Sequence, residues 1–528
     1  MSLKDLLERG YFPKELPSPP FTTTPFANIV TAPTGSLPAD FANGADPKYK
    51  QLPTSKIARY SHARGGLLRR KLGICNPLHY YLLAKEIIDN WAIISPMVSG
   101  TAIAATAPEL KSLGRAIEGR HSQGARAMLA QKNRLGRRFL LETDISRFYS
   151  SIYTHSIPWA LHTKAAAKIN RSRTTLLGNN LDYLVRMGQD GQTIGIPIGP
   201  DTSLVLAELL MQRCDAELIA RVPKLKGHRF IDDYELSFYT RTEAEDAFHL
   251  LERALSNYEL ALNPKKTKVL ELPLQFEASW VTELRSHNIR TSASGQAVDM
   301  EALINKAFHL HKLFPGEAVL SYAIAKLRVV ALLPDNWELF QRLLLLCVTP
   351  EPATFPYAID LIIKWVNAGF ASAIPELHEV VNSIITTHAP LAHSSEVSHA
   401  LWASIALGVT LTTEAVTALS MADDSVVALM ALDCESRGLM SAVLDKSNWQ
   451  THMTSAGLYE EHWLLSYEAN IKGWLPSVGG GDHVADDPNF GFLKASGVYF
   501  YDTAPLVAFP IPAPTLPTQI STSTAHSH

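Results

Sequence analysis

Two textures divide the sequence and predict its fold class: an α+β core followed by an all-α, HEAT-like helical-repeat region. Over residues 54–295, strand-like segments are interleaved with amphipathic helix patterns. From about 296 the helical period persists through eight successive segments, separated by short breaks with Pro, Gly or Asp. The length, 528 residues, is enough for two or three domains.

Residues 1–53 read as an N-terminal arm. GYFPKELPSPPFTTTPF is rich in Pro and Thr with interspersed aromatics, which predicts an extended segment wrapped over the surface. Within 54–295, HYYLLAKEIIDNW (79–91) predicts a helix and RRFLLETDI (137–145) a strand entering an acidic turn. TSLVLAELLMQRCDAELIARV (202–222) predicts a long helix with an apolar stripe. HRFIDDYELSFY (228–239) predicts two strands about an Asp-Asp turn, and AEDAFHLLERALSNYEL (244–260) a further helix. Residues 296–475 contain no strict repeat, but helix pairs of this size predict a HEAT-like α-solenoid, with an irregular bundle as the alternative. Several of these helices are apolar over much of their circumference. They are expected to pack onto the core, help enclose a nucleic acid and support self-association. A self-contained domain tethered at 290–296 is the plain alternative. Residues 476–528 form a Gly/Pro/Thr-rich tail, expected to be mobile. Its GGG (479–481) lacks the Lys-Ser/Thr of a phosphate loop.

Hydrophobic content of 46% and charged content of 19% fit a packed globular chain. Net charge is −3, but the charge is unevenly distributed. Residues 48–140 hold 17 Lys and Arg against 4 Asp and Glu, whereas 381–528 hold 4 against 14. A basic half that lines a groove suits a phosphate backbone, while an ordinary solvated surface explains the charge equally well. Four scattered cysteines, none in CxxC, argue against zinc or disulfide frameworks and for a reducing compartment. The N-terminus lacks an apolar signal region, and no apolar run reaches membrane length. The expected location is therefore cytoplasmic, with no membrane partner.

Three segments carry chemistry. Phe230-Ile231-Asp232-Asp233-Tyr234 sets two acids at the tip of an apolar hairpin. Such hard oxygens suit Mg²⁺, although a plain Asp-Asp turn is common. In Leu140-Leu141-Glu142-Thr143-Asp144-Ile145-Ser146-Arg147-Phe148-Tyr149, an apolar strand ends in a carboxylate followed by two aromatics. Three carboxylates meeting across a sheet would hold two Mg²⁺ ions for in-line phosphoryl displacement. Between these segments, Ile194-Gly195-Ile196-Pro197-Ile198-Gly199-Pro200-Asp201-Thr202-Ser203 opens the long helix. Its glycines permit close backbone approach, and an ordinary capped junction is the alternative.

In this order and spacing the segments resemble reverse-transcriptase motifs A, B and C. Leu260-Ala261-Leu262-Asn263-Pro264-Lys265-Lys266-Thr267-Lys268 resembles motif D, and Arg69-Arg70-Lys71-Leu72-Gly73 the fingers strand. The resemblance spans roughly 59–285 and implies a right hand of fingers, palm and thumb. It implies that Asp144 and Asp232 are the principal ligands of two Mg²⁺ ions (Mn²⁺ substituting), with the Ile145 carbonyl assisting and Asp233 completing the cluster. Tyr149 stands where the family has its steric gate against a ribose 2′-OH. The plain alternative for Tyr149 is a core aromatic, and both can hold. Gly195, Pro197 and Gly199 would shape the pocket for the templating base and incoming nucleotide. Lys266 would approach the pyrophosphate, with Lys265 and Lys268 as competitors. Arg69, Arg70 and Lys71 would contact the phosphates, without the sequence deciding which one does. Partners implied are dNTPs and DNA or RNA, in a homo-oligomer. Ile194 in place of Gln before Gly195, and Phe-Ile before the Asp pair, depart from familiar members.

The arm, the GIPIGPDTS form of motif B, FIDDY and the helical C-terminus together resemble the bacterial abortive-infection and defence-associated reverse transcriptases. That resemblance implies anti-phage defence, with template-independent synthesis and priming from a protein tyrosine in some members. The alternatives are a retron or group II intron-like enzyme copying a bound structured RNA, and a helical-repeat binding protein with an inactive polymerase domain.

Overall fold

A computed structural model describes residues 2–17, 19–32, 52–66, 68–371 and 374–504. A two-stranded hairpin comes first, β1 (Ala58–Ala63) antiparallel to β2 (Arg69–Ile74). Two short strands follow, β3 (Pro108–Leu110) and β4 (Ile117–Gly119). The central sheet has the order β6-β7-β5-β8, all antiparallel, with β5 (Phe139–Asp144), β6 (Lys226–Phe230), β7 (Asp233–Phe238) and β8 (Lys268–Glu271). Leu140 and Leu141 of β5 and Leu236 of β7 are wholly buried, so the sheet has apolar packing on both faces of its middle.

The helix Arg241–Ser256 packs on β5 and β7, and Arg126–Arg134 on β6. The former starts with a capping box, in which the Glu243 amide donates to the Thr240 hydroxyl and the Thr240 amide to the Glu243 carboxylate. Its buried positions Ala244, Ala247, Leu251, Ala254 and Leu255 follow one helical stripe. The long helix Asp201–Arg221 lies against it and carries the buried stripe expected from the sequence.

The arm is not the extended strap that its prolines predict. Leu3–Arg9 and Thr24–Val30 are helices whose Leu6, Leu7, Phe26 and Ala27 are buried. Tyr11 stacks on Tyr80 with centroids 4.1 Å apart and donates to the Cys75 carbonyl at 2.5 Å. Aromatics between the prolines are anchors into the core, and their burial outweighs the extended preference of the prolines around them. The tail assignment also starts too early. Pro488–Ala495 is a helix, and Phe500 and Tyr501 are buried. Phe21 bridges Tyr501, and the Thr22 amide donates to the Phe500 carbonyl. Residues 33–51 and 505–528 of these two regions lie outside the described residues.

Beyond the sheet the structure is helical from Ser279–Arg285 onward. Each of the eight segments marked by periodicity contains an observed helix, from Ala293–Leu313 to Ser425–Ser436. Neighbouring helices pack in sequence and one step apart, as Glu376–His388 does with Ser394–Leu407 and Thr413–Leu419. This half is packed on the core rather than tethered to it. Ser394–Leu407 lies along β1, where the Ser61 and Ala63 amides donate to the Ser394 and Ser395 hydroxyls at 2.8 and 3.0 Å. The basic and acidic halves meet here in the pairs Lys56–Glu460, Arg59–Glu461 and Arg69–Glu396. At the hairpin tip, a Cβ on Gly65 would stand 2.9 Å from the Gly316 carbonyl oxygen. All four cysteines are free and buried, and no described helix is long and apolar enough to cross a membrane.

Candidate active site

Strand pairing brings the three acids together. Asp144, the last residue of β5, is the register partner of Asp233, the first residue of β7. The Ile145 amide donates to the Asp232 carbonyl at 3.2 Å, which closes the strand end against the hairpin turn. The turn itself is strained, because Ile231 has φ 55, a left-handed conformation that a β-branched residue rarely adopts.

A buried network holds that turn. The Arg229 guanidinium is fully buried and donates to both Glu208 oxygens at 2.9 Å and to Asp215 at 2.9–3.1 Å. It also donates to the Ile231 carbonyl at 2.7 Å. The Ile231 amide donates to the Thr106 hydroxyl at 2.8 Å, and that hydroxyl donates to Glu208 at 3.0 Å. Tyr234 donates to Asp215 at 2.8 Å. Both polar groups of the strained residue are thus fixed, and Asp232 is aimed by the fold rather than by its own preference.

The three acids differ in their surroundings. Asp233 accepts from Arg126 at 2.7 Å, and the Arg126 guanidinium also covers the Phe230 ring at 4.6 Å. Asp144 accepts from the Lys266 ammonium at 2.7 Å through Oδ2, while its buried Oδ1 has no hydrogen-bond partner. Burial raises the Asp144 carboxyl above its usual range, with Lys266 opposing. The Asp232 carboxyl is pushed up to about 7 by burial, then by Asp233 and Asp144.

Motif B and motif D positions adjoin this cluster. The Gly195 and Ile196 amides donate to the Ile152 and Tyr149 carbonyls at 2.8 and 2.9 Å. Gly195 has φ 88, open to glycine at no steric cost. Pro197 faces Gly73 of β2, where an added Cβ would stand 3.0 Å from the Pro197 Cβ. Gly199 faces Pro13 of the arm instead, so its tight fit is to the N-terminus and not to the cleft. Tyr149 is half-buried, and its hydroxyl pKa is raised by burial, with Glu208 and Asp232 contributing. Asn263 donates its amide to the Asp144 carbonyl at 2.8 Å, which sets the lysine loop beside β5. Of its lysines, Lys266 reaches Asp144, whereas Lys265 and Lys268 are exposed.

The fingers residues separate by strand alternation. Arg69 forks onto Glu396 at 2.6 and 2.7 Å and also binds Ser61, so it serves the helical half and is withdrawn from the expected phosphate set. Lys71 shares its face, and Arg70 takes the opposite one. Arg70 contributes to the electrostatic environment of Tyr149 and of Arg64, and Arg64 in turn feels Asp232 and Asp233. The sequence reading missed Arg64, Arg126 and the Arg229 network. One signal was available: Glu208 and Asp215 are acids seven residues apart in an apolar stripe.

Residues 92–289 match the family described as reverse transcriptase (RNA-dependent DNA polymerase). Those residues are a reverse-transcriptase domain. The domain contains β3 to β8 and all three acids. The β1–β2 hairpin and the helical half lie outside the matched span. No curated protein matches the chain. Among solved structures, it is similar to telomerase from Candida albicans in complex with a TWJ fragment of telomeric RNA, at 11% identity and a TM-score of 0.29. That likeness covers 62% of this chain and 63% of the telomerase chain.

Proposed function

We propose that the chain is a DNA polymerase of bacterial anti-phage defence, which adds dNTPs to a nucleic-acid or protein primer from the Asp144, Asp232 and Asp233 cluster. The observation that carries the polymerase reading is the meeting of Asp144 with Asp232 and Asp233 at one end of the inner strands β5 and β7, inside a reverse-transcriptase domain. Defence, protein priming and template independence rest on the resemblance of the arm, motif B and helical C-terminus to the defence-associated group.

Reverse-transcriptase domains generally use divalent metal ions, typically Mg²⁺. The residues present fit such ions: Asp144 has a buried oxygen without a partner, and Asp232 resists ionisation among like charges. Asp144, Asp232 and the Ile145 carbonyl would hold them, with Asp233 beside them under Arg126. When bound, the ions supply positive charge to the attacking and leaving oxygens of an in-line phosphoryl displacement. The chain's own residues do the rest. Arg70 and Arg64 draw the triphosphate to the cleft. Tyr149 excludes a 2′-OH by bulk. Lys266 stands beside Asp144 with protons to offer the departing pyrophosphate. The HEAT-like half braces the fingers hairpin against the palm, helps enclose the nucleic acid and contributes to self-association.

The test is incorporation of labelled dNTP by purified full-length chain, with and without added RNA template, followed by protease digestion of the product. Label that enters without template and loses mass on protease treatment supports protein-primed synthesis. Label that appears only with RNA and stays free of protein favours the enzyme that copies a structured RNA. No incorporation under any condition favours a binding protein with an inactive domain.

A further inference from the structure

Two clusters outside the polymerase site bring histidine and carboxylate ligand atoms within 4.8 Å of one another: His388, His393 and Glu396, and Asp423, His452 and His462. The first is already satisfied. Its two histidines bond each other through Nδ1 at 2.8 Å, and Glu396 is held in the Arg69 fork. A permanent guanidinium there does what a cation would do.

The second cluster has no such cation. Among the described residues, the ion-pair partners of Asp423 are His452 and His462 alone. One carboxylate oxygen, Asp423 Oδ1, lies 3.2 Å from His452 Nε2 and 3.3 Å from His462 Nε2. A charge-assisted hydrogen bond would be shorter, about 2.7–2.9 Å. The edge of a tetrahedron around an ion with bonds of about 2.0–2.1 Å is about 3.3–3.4 Å. The two rings lie 3.9 Å apart at 25°, so both Nε2 atoms reach the same oxygen from one side. The Ser425 hydroxyl stands 3.3 Å from His462 Nδ1, which leaves Nε2 as the ligand nitrogen. The Asp423 side chain is 64% exposed, so solvent has access to complete the coordination.

The three residues come from separate segments. Asp423 precedes the helix Ser425–Ser436, His452 follows Ser447–Gln450, and His462 enters Trp463–Ile471. The stretch between the two histidines carries the root of the fingers hairpin. Asn76 donates to the Leu458 carbonyl at 2.9 Å, the Lys56 amide to the Tyr459 carbonyl at 2.7 Å, and Arg59 pairs with Glu461. Trp463 Nε1 donates to the Ile74 carbonyl at 3.1 Å.

We propose that Asp423, His452 and His462 bind one borderline transition-metal dication, Zn²⁺ by the chemistry of the donor set, and that the ion fixes the segment on which the fingers hairpin is seated. Two imidazoles and a carboxylate suit Zn²⁺ better than the hard cation of the polymerase cluster.

Full-length chain is stripped with a chelator and titrated with Co²⁺ as a coloured stand-in for Zn²⁺. The expected result is one equivalent per chain, with a tetrahedral visible band that Zn²⁺ abolishes and a rise in Tm on loading. Asp423→Ala, at an exposed position, keeps the metal-free Tm and weakens Co²⁺ binding at least about tenfold, as does His452→Ala. Asp232→Asn leaves the band in place, which separates this ion from any ion at the polymerase cluster. Absence of the band in the wild-type chain, or an unchanged band in both Asp423→Ala and His452→Ala, overturns the proposal.

Discussion

Arg229, in the strand, and Asp232, in the hairpin turn that follows it, stand three residues apart and meet opposite electrostatic surroundings. Around Arg229 a buried cation is shared by two buried acids, and each of its nitrogens has a partner. Around Asp232 three carboxyl groups converge, burial and repulsion raise its pKa, and an oxygen of neighbouring Asp144 lacks a partner. The first arrangement is complete without a ligand and spends its hydrogen bonds on a strained backbone. The second leaves a buried carboxylate oxygen unpartnered among like charges, which is what the proposed cation site calls for. The contrast sets the proposed site at the turn and its mechanical support in the strand before it.

Breaking the support should have the largest effect. Arg229→Met leaves Glu208 and Asp215 buried without their cation, with an expected loss of about 3–5 kcal/mol in chemical unfolding. Polymerisation should fall with it, because the Ile231 carbonyl loses its donor. A stability change under about 1 kcal/mol would show that the network is incidental.

The pH dependence of metal-free stability sharpens the other side. Burial and the neighbouring acids push the folded Asp232 carboxyl up to about 7 from the ordinary 3.8. Between those values the folded chain binds the proton that the unfolded chain releases, so stability falls as pH rises through that window. Tm of the chelated protein should therefore drop from about pH 4 to about 7, with Asp232→Asn flattening the slope and Mg²⁺ reversing it above about 7. A wild-type slope equal to that of Asp232→Asn would contradict the repulsion.

Fingers residues give a smaller, selective effect. Arg70→Ala should raise the KM for dNTP about tenfold, as expected for losing a charged phosphate contact of about 1.4 kcal/mol. Arg69→Ala should leave KM within about twofold and instead lower stability by about 2 kcal/mol, because Glu396 loses its fork. Equal KM effects would merge the two faces of β2. The mildest change is in sugar choice. Tyr149→Ala should shift dNTP/rNTP preference toward rNTP in competition assays, and an unchanged ratio would leave Tyr149 as a core aromatic.

The acid cluster was legible in the sequence because each acid interrupts an apolar strand pattern at a predictable strand end. The strands about the Asp-Asp turn and the helices that follow were legible for the same reason, namely periodicity. What was hidden depends on distant partners. Arg69, Arg70 and Lys71 look alike until Glu396, 327 residues away, claims Arg69. Arg229 reads as an ordinary strand residue until the long helix supplies Glu208 and Asp215. The arm was misread because its prolines are conspicuous locally, while the aromatic pockets that bury Tyr11 and Phe26 are built from other parts of the chain.

Asp232, on the proposed function, belongs to a carboxylate cluster that works with a divalent cation in nucleotide transfer. The most direct test is incorporation of labelled dNTP in Mg²⁺ by the wild-type chain and by Asp232→Asn, with Tm measured on the same samples. The expected result is incorporation by the wild type, a loss on the order of 10²–10³-fold or more in the variant, and a metal-free Tm at neutral pH that is equal or higher in the variant. Incorporation by Asp232→Asn at the wild-type rate, with an intact fold, would contradict it.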